Sequence, residues 1–144
     1  SFFYGTDAGR LYKATPSYVR NWRYTTSQSL LMWVRLLGSD VVALNLIEER
    51  GLIVVATSDG MLRLLRMRDG AVILTYYIQP GERKWLSIAD TGHYEASVGG
   101  DNLGGWVLRQ DSQQTAEFFP LSRFRDQFLL PGMTRHVLAI NDPN

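Results

Sequence analysis

A short polar turn closing on glycine recurs between apolar strands of this chain, and that recurrence limits the fold more than any other feature. Gly5-Thr6-Asp7-Ala8-Gly9-Arg10-Leu11 aligns on Ala56-Thr57-Ser58-Asp59-Gly60-Met61-Leu62 at an offset of 51 residues. Ala96-Ser97-Val98-Gly99-Gly100 aligns on Ala56 to Gly60 at an offset of 40. Self-similarity at such spacing marks a repeat architecture, in which one supersecondary unit is used several times. The flanking residues set the element type. Val41 to Leu46, Leu52 to Thr57, Met61 to Met67 and Ala71 to Ile78 are short apolar runs rich in β-branched residues, separated by Glu48-Glu49-Arg50-Gly51, Ser58-Asp59-Gly60 and Arg68-Asp69-Gly70. Runs of that length bounded by Asp-Gly turns predict a unit of four antiparallel strands.

The pattern continues in both directions. Phe2 to Thr6 and Arg10 to Ala14 predict a hairpin, with Gly9 taking the positive φ its turn requires. Pro80-Gly81-Glu82-Arg83 punctuates the chain. Strands are then expected over Lys84 to Ala89, Tyr94 to Val98 and Gly105 to Arg109, with Trp85 and Trp106 as core anchors. Strand alternation sets His93 and Glu95 on one face and Tyr94 and Ala96 on the other. Pro16 to Gln28 carries Tyr18, Trp22 and Tyr24 among arginines without a steady period, and is read as an extended insertion. Ser29 to Leu37 is compatible with a strand or a helix, because short apolar runs do not separate the two. Ser122 to Leu129 places Phe124 and Phe128 four apart with Ser122 in N-cap position, predicting one short C-terminal helix whose aromatic face seals the last strands.

Composition narrows the function classes. The 144 residues, 45% hydrophobic and with formal net charge +1, suffice for one core but lack the basic excess that dominates nucleic-acid binding. Of the basic residues only Lys13 and Lys84 are lysine. Arginine offers planar, stacking and bidentate contacts, a bias toward protein interfaces. The chain contains no cysteine, which excludes disulfides, thiolate metal ligation and a cysteine nucleophile within it. The longest apolar runs fall short of the roughly 20 residues of a membrane helix, so no membrane partner is expected. The compartment is left open, with the cytoplasm slightly favoured.

Candidate chemistry is sparse. His93, Asp90 and Ser97 are the residue types of a hydrolase triad, yet no nucleophile-elbow motif surrounds them. His136 has no ligand spacing to His93, and neither a metal nor a cofactor is expected. Gly99-Gly100-Asp101-Asn102-Leu103-Gly104-Gly105 lacks the Lys-Ser/Thr and the following helix of a phosphate loop. Trp22 and Arg23 could stack bases, the basis of a nucleic-acid-binding alternative. Polar and arginine-rich positions near turns, namely Trp22, Arg23, Asp101, Asn102, Arg109, Arg123 and Arg125, are the candidate protein-contact residues.

Trp85, Gly92-His93-Tyr94, Ala96-Ser97, Gly99-Gly100, Gly105-Trp106, Phe118-Phe119-Pro120, Phe124-Arg125, Phe128 and Pro131 together resemble the last blades of bacterial WD40-repeat proteins. In these a propeller accompanies a caspase-like peptidase or another effector domain. The chain departs from that pattern at Val98, where proline is usual, and at Val107 and Leu108, where histidine and asparagine follow the tryptophan. The resemblance implies an all-β fold of WD40-like blades, each a four-stranded antiparallel sheet, with a short C-terminal helix. At roughly 40 to 45 residues per blade the chain holds about three, an incomplete ring. The expected division is a partial blade plus insertion over 1–28, a blade over 29–79, and the last blade with its extension over 80–144. The implied function is a non-catalytic scaffold beside an effector. Its partner is another protein, further blades of the parent chain, or a second copy joined through strand edges. A small β hydrolase using His93 is the alternative from another class.

Overall fold

A computed structural model describes residues 2–14, 31–108 and 117–141. The chain divides into two compact units, one reaching from the N-terminal end to Ile73 and including Asn141, the other running from Leu74 to Ile140.

Among its described residues the first unit is antiparallel β, apart from a 3₁₀ turn over Glu48–Arg50. β1 (Phe2–Gly5), β2 (Arg10–Ala14) and β3 (Leu31–Leu36) form one sheet in that order. The run Ser29 to Leu37, open between helix and strand in the sequence, is thus a strand over its described part. Its register on β2 sets Tyr12 opposite Val34. β4 (Val41–Ile47), β5 (Leu52–Thr57) and β6 (Met61–Arg66) follow as a meander. Along β5, Ile53, Val55 and Thr57 are buried at period two, as expected of a strand with one face on the core. Leu11, Leu37, Ile53, Val55 and Leu65 form that core, with Phe3, Val41, Leu44 and Leu46 packed against it. The first two strands of this unit's two sheets meet closely. Val41 N–H donates to Thr6 O at 3.1 Å, and a Cβ on Gly5 would lie 2.3 Å from a Val41 methyl, so only glycine fits there.

The repeated turn is the same object in both copies. Gly9 N–H donates to Thr6 O at 3.1 Å and Gly60 N–H to Thr57 O at 3.0 Å, with φ of 68° and 83° at the two glycines. Glycine takes this left-handed conformation without the Cβ clash that other residues suffer. Thr57 adds a side-chain layer, donating to Asp59 and accepting from Arg63. The Thr57 hydroxyl lowers the Asp59 carboxyl below its usual range, against burial, with the Met61 N–H and Arg63 assisting. On β4, Val42 is an extra residue, because Val41 faces Thr57 and Ala43 faces Ala56. The bulge turns Val42 outward, 63% exposed.

β7 (Val72–Gln79) crosses the division between the units. In the second unit it pairs with β8 (Lys84–Ala89), and β8 with β9 (Tyr94–Ala96), setting Ser87 opposite Glu95. Trp85 is half-buried and stacks on Tyr76 at 5.8 Å. The third copy of the turn departs from the first two. Gly100 N–H closes on Ser97 O at 2.8 Å, but the left-handed residue is Gly99, and a 3₁₀ turn over Gly100–Asn102 follows. The chain therefore folds back over the start of β8. β10 (Gly105–Leu108), expected to extend the meander, pairs with β11 (Glu117–Pro120) in a separate ribbon. Trp106 faces Phe119 in the register, and its side chain lies outside the described residues.

The C-terminal end is helical in two pieces rather than one. Leu121–Phe124 is a 3₁₀ turn, continued by one turn of helix, α1 (Arg125–Phe128). Ser122 caps neither; its hydroxyl donates to Asn102 Oδ1 at 2.9 Å. The tighter 3₁₀ winding also separates the two aromatics expected on one face. Phe124 meets Phe119 edge-on, whereas Phe128 packs on the core of Leu86, Tyr94 and Leu121. A second helix, α2 (Met133–Ile140), lies beyond the one short helix expected and buries Met133 and Val137 at i,i+4 spacing.

Candidate functional site

β9 and the turn after it organise the second unit, because successive side chains there serve opposite faces. Tyr94 points inward and is fully buried. Its hydroxyl donates to Leu121 O at 3.3 Å and reaches Asp101 Oδ2 at 3.5 Å. Burial raises the Tyr94 phenol above its ordinary value, and the Asp101 charge adds to this, so the group stays a neutral donor. Asp101, with a side chain only 5% exposed, sits on the 3₁₀ turn and receives the Arg125 guanidinium, Nε at 2.9 Å and Nη2 at 2.6 Å. Both nitrogens meet the same oxygen, and Asp101 Oδ1 is left buried without a partner among the described residues. The hydrogen bonds and charge of Asp101 raise Arg125 further above its already high value.

The turn itself is stitched to β8. Trp85 N–H donates to Ser97 Oγ at 2.9 Å, and Ser97 N–H donates to Trp85 O at 3.1 Å. A Cβ on Gly100 would stand 2.1 Å from that same carbonyl. Glu95, on the opposite side of β9 from Tyr94, accepts from Gly132 N–H at 3.1 Å and Thr134 N–H at 3.2 Å. Burial alone would raise its carboxyl; the Gly132 N–H, with the hydroxyl and N–H of Thr134, outweighs that and holds it below the ordinary glutamate value of 4.5.

Of the sequence-derived contact residues, Asp101, Asn102, Arg123 and Arg125 gather here, and Trp22, Arg23 and Arg109 lie outside the described residues. Their roles differ. Asp101 is an internal anchor for Arg125, and Asn102 ties the turn to Ser122. Arg123 is exposed, its guanidinium 4.6 Å from the Phe119 ring centre. Stacking of this kind fixes a guanidinium in place while its edge stays open to a partner. Phe118, on the other face of β11, is 62% exposed. Glu95 and Tyr94 were not anticipated as site residues; the alternation that placed them was legible, but their partners lie about 30 to 40 residues on in sequence.

The catalytic alternative finds its residues otherwise engaged. Ser97 Oγ is held by the Trp85 backbone. His93 pairs through Nδ1 with the Thr91 hydroxyl at 2.9 Å, and its ring meets Phe128 edge-on. A working base of this kind also needs an acid orienting its second nitrogen, and no described carboxylate hydrogen-bonds it. Among the described residues no group of three or more His, Asp or Glu could hold a metal ion, and no helix is long and apolar enough to cross a membrane. Compared with models of known protein families and with curated proteins, the chain matches none.

Proposed function

We propose that this chain is a non-catalytic protein-interaction scaffold, the C-terminal part of a WD40-like propeller that accompanies an effector domain. The observation that carries the reading is the repeated Thr-x-x-Gly turn. It joins β1 to β2 and β5 to β6 with the same hydrogen bond and the same left-handed glycine, within successive antiparallel meanders. Unexposed catalytic machinery is not needed for such a role; what it needs is strand edges and fixed surface groups. β4 is an edge strand among the described residues, and β10–β11 is a two-stranded ribbon, an element rarely stable by itself. Phe118 and the stacked Arg123 are of the residue types enriched at interface centres.

Sedimentation of the chain tests the reading. Association that grows with micromolar concentration, and that is suppressed when the flanking residues of the parent protein are present, is the expected result. A monomer whose amides are strongly protected throughout, edges included, overturns it in favour of a self-contained β domain.

A further inference from the structure

α2 begins without a cap of its own. The residues leading into it, Leu130-Pro131-Gly132, carry no side-chain oxygen; the Leu130 carbonyl takes Met133 N–H at 3.1 Å, but the neighbouring N–H groups of Gly132 and Thr134 find no side-chain acceptor in this lead-in. Glu95 supplies the missing acceptor from another element: its two carboxylate oxygens take the N–H groups of Gly132 and Thr134 separately. Thr134 Oγ1 adds a hydrogen bond to Ser87 Oγ at 3.2 Å, on the strand beside Glu95. The apolar hold is small, since only Met133 and Val137 of the helix are buried, and Ile140 at its far end is largely exposed. An eight-residue helix is too short to persist in water without such support.

We propose that α2 is a lid over β8 and β9 that is latched by the Glu95 carboxylate, and that it opens when that charge is removed. Both oxygens and the negative charge are used: a neutral acid keeps one good acceptor and loses the favourable interaction with the helix N-terminus. The sign follows from the linkage. Glu95 is held below its ordinary 4.5, so the latch contributes its full stabilisation above that value and loses it as pH falls through the lower folded value. The other charged groups on surrounding elements are engaged elsewhere or exposed. Lys84 at the start of β8 pairs with Glu82, and Asp101 on the 3₁₀ turn pairs with Arg125 of α1. His93 beside β9 bonds Thr91, and Asp126, Arg135 and His136 on the two helices are exposed. None of the described residues forms an ion pair with Glu95, so the helix N-terminus is its only partner of opposite sign. The inference does not depend on the propeller reading.

NMR on the full chain tests it. The amide protons of Gly132 and Thr134 are expected to titrate together with a single midpoint below 4.5. The carbon shifts of Val137 and Leu138 should move from helix toward coil over the same range. In Glu95→Gln the titration is absent, and α2 amides exchange about five- to tenfold faster at neutral pH, as loss of an N-cap entails. Glu95→Ala should exchange faster still. Helical shifts retained below the midpoint overturn the proposal, as does an opening step that persists in Glu95→Gln or α2 protection unchanged in both variants.

Discussion

Substituting Gly100 by alanine isolates a purely steric constraint. Its φ is not in the left-handed region, so alanine is acceptable to the backbone and even gains about 0.4 to 1 kcal/mol by restricting the unfolded chain. The obstacle is space. The new methyl would lie 2.1 Å from Trp85 O, 3.1 Å from Trp85 C and 2.8 Å from Ser97 Oγ. The first two are backbone atoms of β8, which no rotamer change can move. Relief requires the turn to retreat by about 1 Å, given ordinary contact distances near 3.5 Å and the compression that packed sites tolerate. That retreat strains the Ser97 N–H bond to Trp85 O and the Trp85 N–H bond to Ser97 Oγ. Overpacking costs about 1 to 3 kcal/mol, and each weakened hydrogen bond about 0.5 to 1.5 kcal/mol. With the unfolded-state gain subtracted, the net loss is about 1 to 5 kcal/mol, centred near 3. Urea unfolding followed by tryptophan fluorescence measures it as a lowered midpoint at unchanged slope. Gly81→Ala is the matched control, because that glycine has φ of 82° and nothing within 4 Å, so its cost is conformational alone, about 1 to 2 kcal/mol. If Gly100→Ala matches wild-type stability, or Ser97→Ala rescues it fully, the packing of the turn against the Trp85 carbonyl is not what shapes this segment.

Two further substitutions probe the same unit. Tyr94→Phe removes the hydroxyl bonded to Leu121 O and leaves that carbonyl and Asp101 with one donor fewer, a loss of about 1 to 3 kcal/mol by urea unfolding. Arg125→Met should lower the unfolding midpoint by leaving the buried Asp101 carboxylate without a cation, and adding Asp101→Asn should recover much of the loss, because the uncompensated charge is gone; equal midpoints for the single and double variants would count against this.

How much of this was legible in the sequence depended on how local the cause was. The hairpins over Thr6–Gly9 and Thr57–Gly60 are set by residues within four positions of one another, and alternation along β9 correctly divided Tyr94 from Glu95. α2 escaped notice because its cap sits 37 residues upstream on another element, leaving a Pro-Gly lead-in that resembles a tail. The pairing of β10 with β11 was obscured similarly. The glycine-rich turn looks like the other two, but Gly100 packs against the Trp85 carbonyl, a 3₁₀ turn follows, and β10 pairs with β11 instead of β9. Asp101 is among the polar turn positions read as candidate contacts, and its burial is not visible locally, because aspartate is seldom buried unpaired and the Arg125 side chain that permits it is 24 residues distant.

The bulge at Val42 constrains what can lie beside β4. From Ala43 to Ile47 each residue faces one residue of β5 without interruption, a regular ladder of about 17 Å at the usual antiparallel rise. Before Ala43 the backbone swings out of phase, and the side chain of Val42 projects from the surface. A neighbouring strand can therefore run in step with β4 for about five residues only. A longer one must break its own ladder opposite Val42 or bulge to match. The extra residue thus acts as a ruler: it fixes both the starting point and the length of any strand this edge accepts, and denies it to the long, regular strands from which fibrils are built.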